Sequence, residues 1–162
     1  MKFIELNKNL KQEVKNLYNI IGFDVFLIKQ ALTNIKNYLI KDFEEFDYYK
    51  ADAEAMKGSE ANAIISTLPL GNEYRLVVLV NPSSEVVKAI NNFDFENSQV
   101  VVVCVNADKL NNAEIVDCDK LERADISKYV LNYLSKNKLS IQERALDYLI
   151  EATNANMSKI NN

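Results

Sequence analysis

The chain has 162 residues, 48% of them hydrophobic, a formal net charge of -4 and no histidine. That length supports one sizeable core plus the start of a second unit, while the missing histidine removes the usual general base of serine and cysteine hydrolases and most catalytic zinc sites. The acidic balance argues against this region gripping nucleic acid by itself, because affinity for phosphate comes from clustered Lys and Arg.

Phe3 to Leu17 places Ile4, Leu10, Val14 and Leu17 at roughly helical spacing and predicts a first helix. A short strand, Tyr18 to Ile21, ends at Gly22. Asp24 suits a helix N-cap, and the helix it opens is expected to reach about Ile40 with Leu27, Ile28, Ala31, Leu32, Ile35 and Leu39 on one side. A second strand, Phe46 to Lys50, is followed by a helix from Ser59 to Thr67 that Pro69 cannot continue. Tyr74 to Val80 reads as a buried strand, and Asn81-Pro82-Ser83-Ser84 opens a helix through Ile90. Ser98 to Val105 is the most apolar strand and is expected to be covered on both faces. Strands alternating with helices around such a strand mean a parallel α/β sheet.

After a last strand at Ile115 to Cys118 the pattern turns helical. Asp125 to Lys138 carries Ile126, Tyr129, Val130, Tyr133 and Leu134, and Ser140-Ile141-Gln142-Glu143 has the form of a capping box before Ala145, Leu146, Leu149 and Ile150. Two such helices cannot bury both apolar faces alone, so a third is expected. The chain reaches Asn162 before supplying it completely, which reads as a piece of a longer protein. No apolar run approaches the ~20 residues of a membrane crossing, and the opening residues lack the apolar core of an export signal, so a cytoplasmic location is expected.

Cys104 and Cys118 lie in apolar strands outside any CxxC spacing and read as free thiols. In a parallel α/β sheet ligands bind beyond the carboxyl ends of the strands, so a phosphate cradle belongs after Gly22. A P-loop needs a second glycine and a lysine for the phosphates; Leu27 and Ile28 stand there, and Asp24 adds a negative charge. Asn81-Pro82 stands where an ATPase offers magnesium-binding carboxylates. Nucleotide binding is therefore not expected, and no cofactor or metal is assigned. The acidic groups Asp42, Glu44, Glu45, Asp47 and Asp117, Asp119, Glu122, Asp125 read as solvated connections, with Asp125 suited to a first helical turn. Asp108 with Lys109 marks a weak ligand edge after the apolar strand.

The most informative stretch is Ser66-Thr67-Leu68-Pro69-Leu70-Gly71, which puts two large aliphatic residues around a proline where a helix has to stop. Leu68 and Leu70 then lie on a short connection, where they either fold back to cap the core or reach for a partner.

Tyr18 to Leu32, with its strand, glycine, acidic residue and Phe-Leu-Ile helix, resembles the opening of the clamp-loader delta family, the delta subunit of bacterial DNA polymerase III. Ser66 to Leu70 followed by Arg75 to Leu79 looks like that family's most characteristic stretch, and Tyr129 to Leu134 with Leu139-Ser140 and Ala145 to Leu149 is similar to the start of its helical domain. The resemblance covers essentially the whole chain. It implies an AAA-type ATPase domain over 1–120 that has lost its nucleotide site, the beginning of a helical lid over 121–162, and a collar domain beyond.

By that resemblance the protein is a subunit of the DNA polymerase III holoenzyme, a nucleotidyltransferase complex of DNA replication, with no catalysis or ATP hydrolysis of its own. Its partners would be the ring-shaped sliding clamp (the beta subunit) and the other clamp-loader subunits, with DNA reached only through the complex and no membrane contact. Ser66, Thr67, Leu68, Pro69 and Leu70 would be the clamp-binding residues, inserting apolar side chains into a pocket on the clamp and helping to open it. Leu70 stands where some members carry Phe, and Gly71 where a second bulky residue often follows, so both departures reduce the apolar bulk available for insertion.

Two other readings stay open. One is an α/β nucleotide- or cofactor-binding enzyme domain acting at the strand ends near Gly22, Asn81 and Asn106. The other is a nucleic-acid module using the helix from Ser140, for which Glu143, Asp147 and Glu151 are poorly matched to phosphate.

Overall fold

The chain forms five strands, β1 (Leu17–Ile21), β2 (Tyr48–Asp52), β3 (Arg75–Val80), β4 (Val100–Val105) and β5 (Glu114–Asp117), of which β1, β3, β4 and β5 carry Val, Leu or Ile while β2 reads Tyr-Tyr-Lys-Ala-Asp. In the computed structural model, which describes residues 1–119 and 121–161, they pair parallel throughout in the order β2-β3-β4-β1-β5. The domain boundary expected at residue 120 and the chain end at residue 162 lie outside the described residues.

β4 is the middle strand and all of its residues are buried, as its unbroken apolar run requires. Its successive side chains enter opposite cores. Val101, Val103 and Val105 join Tyr18, Ile20, Leu76, Val78 and Val116 on one face, and Val100, Val102 and Cys104 join Leu17, Val77 and Leu79 on the other.

The first face is covered by α1 (Leu6–Gln12) and α2 (Val25–Leu39), the second by α4 (Gly58–Ile65) and α5 (Ser84–Asn91). A four-residue helix, α3 (Glu44–Asp47), leads into β2. The later helices α6 (Arg123–Lys136), α7 (Glu143–Ala152) and α8 (Met157–Ile160) bring Ile126, Val130, Leu146, Ile150 and Met157 into the same apolar cluster as the first sheet face. Among the described residues no helix is long and apolar enough to cross a membrane.

Asp24 caps α2 as its side chain allows, with one carboxylate oxygen accepting from the amides of Phe26 (2.9 Å) and Leu27 (3.1 Å). Three expectations differ from what is found. The first helix stops at Gln12 after a 3-10 turn at Phe3–Glu5, because Leu17 is needed in β1, where it pairs with Val102. The strand expected from Phe46 begins at Tyr48, since Phe46 and Asp47 complete α3. Ser140 does not cap α7: Gln142 is the N-cap, without a side-chain hydrogen bond.

Candidate functional site

α4 ends at Ile65 and its last carbonyls are closed by the residues that follow. Ser66 Oγ donates to the Asn62 carbonyl (2.6 Å) and Thr67 Oγ1 to that of Ala63 (3.1 Å), so both hydroxyls are held against the last turn of α4. Pro69 then prevents continuation. Leu68 and Leu70, on either side of it, are 63% and 74% exposed. Neither leucine lies under the sheet, so the core-capping alternative does not describe them.

What fixes this turn is Asp47, which the sequence predicts to lie in a solvated connection. Asp47 is fully buried, because the last residue of α3 points beneath the turn instead of out of an acidic loop. Its Oδ1 accepts from the Leu70 amide (2.7 Å), and its Oδ2 from the amides of Gly71 (2.9 Å) and Asn72 (2.7 Å) and from Asn72 Nδ2 (2.9 Å). Burial by itself pushes the carboxyl up; the hydrogen bonds from Leu70, Asn72 and Gly71 outweigh it and hold the group at about 2. An aspartate followed, at a distance in sequence, by a turn with several orphan amides leaves no local signal, which is why the acidic grouping concealed it.

Asn72 extends the same clip in the opposite direction. Its Oδ1 accepts from the Lys41 amide (2.9 Å) and the Asp42 amide (3.3 Å), and its Nδ2 also donates to the Asp42 carbonyl (2.5 Å). The connection between α2 and α3 is thereby tied to the proline turn. Asp42, Glu44 and Glu45 remain exposed, and no cluster of three or more metal-ligating side chains exists among the described residues.

Where a phosphate cradle would lie after β1, the backbone amides already have acceptors within the chain. Gly22 has φ +132°, and a Cβ on it would fall 2.5 Å from the Cys118 carbonyl carbon and 2.7 Å from the Asp119 amide nitrogen. The Gly22 amide donates to Asn106 Oδ1 (3.2 Å), Phe23 to Asp119 Oδ1 (3.2 Å) and Asp24 to the Cys118 carbonyl (3.3 Å). These amides, with the two that Asp24 caps, are the donors a phosphate cradle would use. Asn106 and Asn81, at the ends of β4 and β3, have left-handed backbones with φ of 54° and 50°.

On the helical segment Arg123 donates to Asp147 (2.9 Å) and Glu151 (3.2 Å), tying α6 to α7 through the acids that made α7 a poor partner for nucleic acid. Asp125 lies in the first turn of α6 and pairs with Lys2 at 3.0 Å. Asp119 is exposed, as expected for a solvated connection, and its Oδ1 accepts from the Phe23 amide.

Comparison with known proteins gives a consistent placement. The profile of a family described as DNA polymerase III, delta subunit, matches residues 18–114. A Bacillus subtilis DNA clamp loader delta protein, YqeN, has a similar structure: TM-score 0.74 and 19% identity, over 98% of this chain and 54% of that one. A DNA polymerase III gamma-subunit-related protein of Thermotoga maritima gives a TM-score of 0.56 at 11% identity, covering 93% of this chain and 61% of that one. A Thermotoga maritima RuvB variant gives 0.54 at 15% identity, covering 97% and 55%. This chain therefore spans little more than half the length of the Bacillus protein. At these identities the likeness is one of fold, and the fold agrees with the parallel α/β sheet expected from the residues and the AAA-type architecture implied by the resemblance. No curated protein matches the sequence.

Proposed function

This chain belongs to the DNA polymerase III delta-subunit family, and on that premise we propose that it binds the sliding clamp through the turn at Ser66, Thr67, Leu68, Pro69 and Leu70 and helps to open the ring during DNA replication. In this reading residues 1–120 are the clamp-contacting unit and 121–162 the beginning of the helical lid. The chain works with the other loader subunits, meets DNA only through the complex, resides in the cytoplasm and carries no catalysis of its own.

The observation that carries the reading is the pair of exposed leucines on a backbone that Asp47 has already ordered. Leu68 and Leu70 are the anchors. The hydroxyls of Ser66 and Thr67 are occupied within α4, which leaves these two residues to shape the turn. Fully burying two leucines is worth roughly 3–6 kcal/mol, against about 8 kcal/mol for micromolar affinity. Preorganisation narrows the gap by removing part of the ordering cost, and the remainder has to come from neighbouring contacts.

The test is binding to the sliding clamp of the same organism by surface plasmon resonance, with wild type and Leu68→Ala/Leu70→Ala. The double variant is expected to lose binding while its circular dichroism and melting temperature stay near those of wild type, because both side chains are already in water. Equal clamp binding by the two proteins would overturn the proposal.

A further inference from the structure

The apolar surface at this end of the sheet is wider than the proline turn. Phe43 is 53% exposed and Phe46 49% exposed. Phe43 is the N-cap of α3, and its carbonyl accepts the Phe46 amide at 3.0 Å, so the two exposed rings lie three residues apart at the start of that helix. Phe43 holds a left-handed backbone, φ 52°, which is costly for a bulky residue. Its ring lies over Gly71: a Cβ added there would fall 2.1 Å from the ring Cδ2 and 2.5 Å from Cγ. The missing side chain at position 71 is thus what lets the ring rest on the backbone next to Leu70.

The fold itself gains little from this arrangement, since the ring stays half in water on a strained residue. A partner would gain more. Asp47 and Asn72 fasten the turn and the connection before α3 to each other, so Phe43 and Leu70 are presented as one body. A surface that covers Leu70 has to meet the Phe43 ring lying over the next residue.

We infer that Phe43 and Phe46 are further anchors for the sliding clamp, forming with Leu68 and Leu70 one continuous apolar contact that supplies the affinity two leucines alone do not provide. This inference rests on the clamp-binding reading. It adds residues from a different segment of the chain, and the occupant it names is the apolar clamp surface next to the pocket that takes the turn.

The experiment compares wild type with Phe43→Asn, Phe46→Ala and Leu68→Ala/Leu70→Ala for binding to the same clamp, with melting curves and sedimentation for each protein. Asn tolerates the left-handed backbone, so Phe43→Asn is expected to fold at least as stably as wild type. Its clamp affinity should fall about tenfold or more, with a smaller loss for Phe46→Ala. Gly71→Ala displaces the ring without removing it, and serves as the second variant if Phe43→Asn fails to fold; the same loss is expected. If the double leucine variant loses binding while the ring variants keep it, the inference fails and the clamp-binding reading stands. If the double leucine variant binds like wild type, or wild type does not bind, both fail. Self-association of the chain that disappears in Phe43→Asn, with clamp affinity unchanged, would assign the rings to a second copy and overturn the inference.

Discussion

Replacing Asp47 by Asn tests the clip that orders the turn. The carboxylate accepts four hydrogen bonds, one at Oδ1 and three at Oδ2. An amide can offer one oxygen only, so its NH2 must face either the Leu70 amide or the three donors at Oδ2. The carboxyl titrates at about 2 in the folded chain against an ordinary 3.8, a difference equivalent to about 2 kcal/mol. Because the folded value is the lower one, that stability is fully present above pH of about 4 to 5 and is lost as the pH falls through about 2. At neutral pH Asp47→Asn is expected to cost about 2–3 kcal/mol, including the donor left facing a donor, or roughly 4–12 °C in melting temperature for a chain of this size. Urea denaturation of both proteins at a series of pH values from neutral to acid reads this directly. The gap between them should be widest at neutral pH and narrow as Asp47 protonates in the wild type. A variant as stable as wild type at neutral pH, or a gap that does not change with pH, would refute the argument.

Gly22→Ala should destabilise the chain by at least about 3 kcal/mol, because φ of +132° and a Cβ 2.5 Å from backbone cannot both be accommodated; thermal melting checks it. Burial pushes the Cys104 and Cys118 thiols up to about 12, with nearby Asp117, Asp24 and Asp119 adding to the effect at Cys118. Both are expected to resist a thiol reagent at mildly alkaline pH until the protein is unfolded, and prompt labelling of the native chain would contradict the packing. Calorimetric titration with ATP and magnesium is expected to give no binding heat, since the amides after β1 already have acceptors. Measurable binding would revive the nucleotide-using alternative.

The parallel sheet was legible because its strongest signals are local: the unbroken apolar run of β4, the Asp24 cap and the apolar side of α2 all read correctly from spacing. The proline turn was legible for the same reason, as a helix stop flanked by leucines. What escaped depends on partners distant in sequence. Asp47 looks like one of four acids on a connection, and only folding brings the amides of residues 70–72 onto it. Phe43 gave no signal either, since its place depends on a glycine 28 positions later. Ser140 shows the converse: its spacing fits a capping box, yet α7 starts at Glu143, too late for Ser140 to serve as the cap.

The exposed leucines and the buried aspartate make most sense together. An apolar side chain in water contributes little to folding, and its use in binding depends on how much freedom it still has to lose. Ordering a loose backbone costs about 1–2 kcal/mol per residue, enough over a short turn to cancel what two leucines gain on burial. Here Pro69 fixes one φ, while Asp47 and Asn72 hold residues 70–72, so that cost is met when the chain folds. Rigidity by itself does not open a ring, because a ligand that binds open and closed forms equally shifts nothing. Moving a closed ring from rare to dominant opening requires about 5.5 kcal/mol of differential affinity, close to the upper value for full burial of both leucines. Under the clamp-binding proposal the turn would serve as the grip, and the preference for the open form would have to arise on the surface around it, where a change in clamp shape would alter which of Phe43, Phe46 and the α4 side chains make contact.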